Sequence, residues 1–425
     1  MNTYRKRIVD DILELKLEAL GAVLIEGPKA CGKTTTAEQI AKSILYMADP
    51  ELEQQNLQLA KTDIKKLLVG EPPLLIDEWQ LAPRLWDAIR FEIDHRREEG
   101  QFILTGSAVP PKTDEIKHSG AGRFGWVTMR PMSLWESGES NGEVSLQAIF
   151  NGESNVYGKN SISLDNLAFL LCRGGWPQSI TKKSERAALL IAQEYVDTIV
   201  RTDISRVDNV QRNPDWARRL LRSYARHQGT SATINTIIAD LSANERMQAT
   251  ENTVSAYISA LRKIFVIEDM ISWNPNLRSK SAIRTSDTRY FVDASVAAAA
   301  LGVAPNDLIS DLNTFGLLFE TMAMRDLRVY ADALDGNVSH FRDRTGLECD
   351  AVLHLRNGSY GLIEIKLGGD NLIEEGARNL NKLENLIDVT RMKAPSFKMV
   401  LTGIGQIAYR RSDGVYVVPI GCLKP

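Results

Sequence analysis

Three short apolar runs break the first 135 residues into a regular pattern: Ala22-Val23-Leu24-Ile25, Leu74-Leu75-Ile76 and Phe102-Ile103-Leu104. None alternates with polar residues. An unbroken apolar run of this length predicts a strand buried on both faces of a parallel sheet. The intervening stretches carry helical spacing, so residues 1 to about 135 read as β/α alternation. Residues 136–165 are polar and rich in Gly, Ser and Asn, a loop or linker signature. From about 163 to 270 the apolar spacing becomes helical. One helix is expected over Ala187–Ile199 and another over Trp216–Arg226. In the second, Arg219, Arg222 and Arg226 share one face, which suits a solvated surface or an anion-binding stripe.

Ala232–Arg262 reads as a helix-turn-helix. Thr233–Leu241 forms the first helix, Ser242-Ala243-Asn244 the break and Glu251–Leu261 the second helix. The strand-like Ile264–Ile267 and the segment Trp273-Asn274-Pro275 follow, as in a winged helix. The second helix of such a unit can read DNA. Here it offers Asn252, Thr253, Ser255, Tyr257 and Ser259, with no arginine before Arg262. After about residue 305 the pattern is mixed again: a helix through Phe319-Glu320 to Leu327, then strand-like runs at 338–342, 349–355 and 360–366. The expected fold class is α/β in three parts. Residues 1–150 form a P-loop core, 151–300 a helical and winged-helix-like region, and 301–425 a second α/β domain.

Candidate chemistry falls at the ends of the apolar runs. The segment Gly27-Pro28-Lys29-Ala30-Cys31-Gly32-Lys33-Thr34 fits G-x-x-x-x-G-K-[ST] between a predicted strand and a predicted helix that runs on through Thr35. Such a turn makes a nest of backbone N–H groups at the positive end of a helix dipole, suited to a polyphosphate. Lys33 then reaches the β- and γ-phosphates, and the Thr34 hydroxyl ligates Mg2+. The second run ends in Asp77-Glu78, about 45 residues beyond Lys33. Asp77 suits a Walker B aspartate that holds Mg2+ through water, and Glu78 a base that polarises the attacking water. The third run ends in Thr105-Gly106-Ser107; Thr105 and Ser107 are either γ-phosphate sensors or turn caps. Arg123, in Gly120-Ala121-Gly122-Arg123, is either a finger for phosphoryl-transfer charge, in cis or in trans, or a structural arginine paired to a carboxylate.

A second constellation lies near the C-terminus. Asp350 and Glu364-x-Lys366 sit on neighbouring predicted strands, after a helix that carries Glu320. Two carboxylates bind Mg2+, and a lysine two residues from the second faces the same side and activates water. This order matches a PD-(D/E)xK restriction-endonuclease-like domain, intact or degenerate, or is an accidental match of a short motif.

Composition is that of an ordinary globular protein. No window approaches a membrane-spanning length of uncharged apolar residues, and the basic start at Tyr4-Arg5-Lys6-Arg7 lacks a signal-peptide core. Cys31, Cys172, Cys349 and Cys422 are scattered without metal-ligand spacing, which fits a reducing cytoplasm. The net charge is −3, yet residues 201–290 carry 14 Lys and Arg against 9 Asp and Glu. A basic middle between acidic flanks is a modest footprint for nucleic acid.

The motifs GPKACGKTTTA, LLIDEWQ, FILTGSA, GAGRF with RPMSLWE, RGGWPQS at 173–179 and FETMAMRDL before the D…E-x-K strands span nearly the whole chain. Together they resemble prokaryotic AAA-type P-loop ATPases, near the archaeal-ATPase and STAND branches, that carry a C-terminal restriction-endonuclease-like domain of unknown function. The family often has arginine where this chain has Lys29. The resemblance implies ATP and Mg2+ as cofactors, Asp77 and Glu78 for metal and water, Arg123 as finger or sensor, and a homo-oligomer such as a hexamer. Two functions follow from it. One is an ATP-driven enzyme acting on DNA; the other is an ATP-controlled switch whose C-terminal domain only binds a partner.

Overall fold

The computed structural model describes residues 4–107, 116–208, 210–242, 250–274, 286–343 and 345–425. The three apolar runs form β1 (Ala22–Glu26), β3 (Leu74–Asp77) and β4 (Phe102–Gly106), joined by β2 (Ser43–Tyr46) and β5 (Phe124–Thr128). All five are parallel, in the order β2-β3-β4-β1-β5. The central strands bury both faces: Val23 and Ile25 join one core with Leu75 and Ile103, while Leu24 and Ile76 join the other with Leu104. This sheet places the C-terminal ends of β1, β3 and β4 side by side, where a doubly wound sheet holds its ligand.

Residues 136–165 are more than a linker. They form short helices at Leu134–Ser137 and Leu146–Phe150, with β6 (Val144–Ser145) and β7 (Gly158–Lys159) between and after them. Helices then follow at Leu164–Arg173, Glu185–Thr198, Pro214–Arg226, Ile234–Ser242 and Glu251–Lys263. The first turn of each is capped by a polar side chain where the chain allows it: Ser163, Ser184, Asn213 and Thr250 each accept an amide N–H. Arg219, Arg222 and Arg226 lie on the exposed face of their helix, and Arg226 pairs with Asp240 at 3.3 Å. Beyond the helices Ile234–Ser242 and Glu251–Lys263, antiparallel bridges join Ile267 to Phe291 and Met270 to Thr288. Ala243 and Asn244 of the expected break, and Pro275, lie outside the described residues.

The long helix Leu312–Ala333 leads into β8 (Gly336–Arg342), β9 (Glu348–Leu355) and β10 (Tyr360–Lys366), which run antiparallel. The helix Asp370–Leu386 then crosses to β11 (Phe397–Thr402), parallel to β10. With β12 (Ile407–Arg410) and β13 (Tyr416–Pro419) the sheet runs β7-β12-β13-β11-β10-β9-β8, and β14 (Leu423–Lys424) pairs with β6. Residues 144–159 thus contribute strands that complete the C-terminal sheets.

A buried polar network ties these parts together. Arg325, 2% exposed, pairs with Asp293 at 2.8 Å and with Asp326 at 2.6 Å. The far oxygen of Asp326 accepts the Leu134 N–H, and Asp293 accepts the Gly175 N–H, both at 3.0 Å. Trp176 donates its indole N–H to Ser295, which itself donates to Asp293. The RGGWPQS and FETMAMRDL motifs therefore meet in one place. Close approach there requires glycine: a Cβ on Gly175 would lie 2.1 Å from the Met132 carbonyl oxygen.

Candidate functional sites

The turn after β1 has positive φ at Gly27, Ala30 and Gly32. A Cβ on Gly27 would lie 2.1 Å from the Met129 carbonyl oxygen, so only glycine fits there. The next helix, Lys33–Glu38, is entered at Gly32 with no side chain capping its first turn. Thr35 is exposed on it, and Cys31 is buried, donating to the Met129 carbonyl. Lys33 folds back over the loop, its ammonium 2.9 Å from the Gly27 carbonyl oxygen and 2.7 Å from that of Pro28. These are weak neutral partners for a buried ammonium, and a phosphate oxygen would replace them with an ionic one.

Around the loop the expected residues converge. Asp77 Oδ1 accepts from Thr34 at 2.7 Å and from Thr105 at 2.5 Å. Glu78 accepts from Ser107 at 3.2 Å and from Gln80. Glu78 has φ 55, a left-handed conformation uncommon for a residue with a Cβ and characteristic of functional sites. This donor set fits a magnesium-bound nucleoside triphosphate. Thr34 and Asp77 would hold the metal, Lys33 and the loop amides the phosphates, and Glu78 the water. The metal would supply charge neutralisation on the phosphate oxygens.

Arg123 does not join this group. It precedes β5, level with the start of β1, whose Ala22 N–H bonds the Arg123 carbonyl. The nucleotide end of the sheet is five strand residues away, about 16 Å. Its guanidinium is instead held by Asp94 at 2.9 Å. The cis finger is thereby corrected: within one chain Arg123 is a surface ion-pairing residue.

Sequence reasoning missed several residues at the loop. Arg7 donates to the Cys31 carbonyl at 3.0 Å and pairs with the buried Glu136 at 3.0 Å. The legible signal was the capping box Ser133-x-x-Glu136, whose acid holds the Ile8 N–H as well. Lys29 pairs with Asp203 of the helical region at 2.6 Å.

In the second α/β domain, β9 and β10 align Ala351 with Ile363, which brings Asp350 beside Glu364. Lys366, two residues on, faces the same way. Its ammonium lies 2.7 Å from Glu364 and 3.4 Å from Asp350. Asp350 also accepts the Ile365 N–H at 2.7 Å, and Glu320 accepts the Tyr290 hydroxyl. All four expected residues are therefore brought together, with Lys366 paired to both strand carboxylates. Among the described residues no group of three or more His, Cys, Asp or Glu is arranged to hold a metal ion. Asp350 and Glu364 face one point, with the Lys366 ammonium between them. Glu364 is nonetheless left with a buried, unpartnered Oε1.

The middle region closes over this cluster. A Cβ on Gly229 would lie 2.8 Å from Glu320 Oε1, and Tyr290 is fully buried against it. Burial, then the Asp350 charge, pushes the Glu320 and Glu364 carboxyls from 4.5 up to about 8. Raised carboxyls hold protons in the folded state that the unfolded chain has released. Their stabilisation is present below pH 4.5 and is lost as pH rises through about 8. Glu320→Gln keeps an acceptor for Tyr290 and removes one titration. Its melting temperature should fall less than the wild type's between pH 5 and 8.5; parallel curves would refute the assignment.

Elsewhere, Arg130 donates to both oxygens of Glu268 and pairs with Asp332 at 2.6 Å. Burial opposes the charge of Glu268, but Arg130 overcomes it and holds that carboxyl down at about 2. These residues border a cavity of about 420 Å3 shared with Trp273, Arg328 and His354.

A glycine turn, a parallel sheet of this order and Asp77 beneath Thr34 make a P-loop nucleotide-binding core. Residues 20–137 match the family model described as an AAA domain. Residues 164–307 and 315–423 match two models described only as domains of unknown function, DUF8612 and DUF4143. Similar to the whole chain are uncharacterized proteins of Mycobacterium bovis and Mycobacterium tuberculosis, each 22% identical over 410 residues, covering 96% of this chain and 82% of the relative. Among solved structures, a Walker-type ATPase of Pyrococcus abyssi has a TM-score of 0.44 at 15% identity, covering 71% of this chain and 96% of that one. A STAND protein of Pyrococcus horikoshii with a tetratricopeptide repeat sensor has a TM-score of 0.23 at 12% identity, covering 79% and 53%. No helix among the described residues is long and apolar enough to cross a membrane.

Proposed function

We propose that this chain is a magnesium-dependent ATPase that controls a closed effector site in its C-terminal domain. The observation that carries the ATPase half is Asp77 accepting from both Thr34 and Thr105, the geometry of a metal site with its sensor. The effector half rests on the convergence of Glu320, Asp350, Glu364 and Lys366. The helix, three antiparallel strands, helix and parallel strand around them support a restriction-endonuclease-like domain, and DNA is the substrate class such a site would take. The two helices and bridges of the middle region support a winged helix. Its reading face is poor: Tyr257 is buried and accepts the Asn213 N–H, and Arg262 pairs with Asp269.

A second reading has its own observation. With Lys366 paired to both carboxylates, the C-terminal domain is a non-catalytic platform and the chain an ATP-controlled switch. The two readings separate in one experiment. Plasmid, single-stranded and branched DNA are incubated with ATP and Mg2+ or Mn2+, using wild type, Glu78→Gln and Asp350→Ala. The first reading expects cleavage by wild type that Asp350→Ala abolishes with ATP turnover near wild type. Absence of cleavage with active ATP turnover selects the switch; cleavage that survives Asp350→Ala refutes the assigned site. If Arg123 serves a neighbouring subunit, Arg123→Ala should leave ATP bound but unhydrolysed. A monomer at all concentrations with full turnover would refute that trans role.

A further inference from the structure

The geometry points to Asp203 as a nucleotide-responsive latch: it pairs with Lys29 of the P-loop and competes with the polyphosphate for that ammonium. This inference rests on the ATP-binding reading of the loop.

Asp203 is 6% exposed, and its Oδ1 receives the Lys29 ammonium at 2.6 Å, while the Lys29 side chain is 48% exposed. The two differ in what they can do. Lys29 lies half-exposed in the turn that carries the positive-φ residues Gly27, Ala30 and Gly32. Asp203 is fixed at the end of a wide π-helical turn, Ile199–Asp203, that continues the helix Glu185–Thr198. Such π turns are rare insertions in helices and are frequent at functional sites. The same region roofs the loop at a second point, since a Cβ on Gly32 would lie 3.6 Å from the Pro177 ring.

A triphosphate arriving in the nest brings several negative charges close to Lys29. It competes with Asp203 for the ammonium, and the stronger anion wins. Loss of Lys29 leaves a buried carboxylate without its cation, a costly state. The segment around Asp203 relieves that cost by moving toward water. Nucleotide occupancy thereby reaches the helical region through one side chain, and Asp203 opposes nucleotide binding where a mere prop would favour it.

The sign of that effect is the test. Binding of a fluorescent ATP analogue is titrated into wild type, Asp203→Asn, Lys29→Met and the double variant, with Lys33→Ala as the control that identifies the P-loop site. Asp203→Asn removes the competitor and should tighten binding by about tenfold, the worth of one charged hydrogen bond. In the Lys29→Met background the same change should alter affinity by less than about twofold, because coupling through a shared partner vanishes with that partner. Hydrogen exchange on the wild type needs no variant: ATP should raise exchange in peptides covering 199–206. Weaker or unchanged binding by Asp203→Asn overturns the latch, as does tightening that persists without Lys29, or unchanged or slowed exchange at 199–206. Failure of every variant and of wild type to bind the analogue would instead overturn the ATP-site reading itself.

Discussion

Glu78→Gln should bind ATP and turn it over roughly tenfold to a thousandfold more slowly than wild type, the usual span for loss of a general base. The substitution keeps the size of the side chain and one acceptor oxygen, while its NH2 needs Ser107 or Gln80 to turn an acceptor toward it. It removes the charge that polarises water. Lys33→Ala should act one step earlier. It deletes the ammonium now parked on the Gly27 and Pro28 carbonyls, so analogue binding itself should collapse. Measured together, binding and steady-state turnover separate the two roles. Wild-type turnover by Glu78→Gln would remove Glu78 from the mechanism.

Arg325→Ala should be strongly destabilising. It strips the cation from Asp293 and Asp326, which are 0% exposed, and those carboxylates also hold the Leu134 and Gly175 amides. Leaving one partner of a buried pair uncompensated costs about 3–5 kcal/mol, against 0.5 kcal/mol or less for an ordinary surface change. Burial already pushes the Asp326 carboxyl up to about 6 even with Arg325 beside it, so this pair operates at the limit of what its charges offset. Chemical denaturation of Arg325→Ala and of the exposed control Arg391→Ala measures the difference. A midpoint for Arg325→Ala within error of the control would refute the network's structural role.

What was legible in the chain depended on burial. The strands β1, β3 and β4 bury both faces, so each reads as an unbroken apolar run that ends on its functional residue. The edge strand β2 alternates half-buried and exposed positions over only four residues and gives no such run. The polar stretch 136–165 misled for a related reason. Its strands β6 and β7 are two residues each, too short for any periodicity, and their partners lie in the C-terminal domain. The D…E-x-K strands were legible because strand alternation sets which side chains share a face. That Lys366 fills the space between the carboxylates was not, because the motif fixes direction and says nothing of which cation arrives. The Lys29–Asp203 and Arg7–Glu136 pairs span 174 and 129 residues, and no local pattern encodes contacts at that range. Arg325-Asp326 did leave a trace, as two charged residues inside an otherwise apolar stretch of helix.

The return of the last strands to residues 144–159 governs how this protein can be dissected. A fragment ending near residue 150 keeps β6 but loses β14; one beginning near 300 keeps β12 and β14 but loses both partners. Either cut exposes strand edges that invite self-association. Fragments divided instead at about residue 130 should be the better behaved, and the two halves split near 150 should regain solubility when co-expressed, each supplying the strand the other lacks.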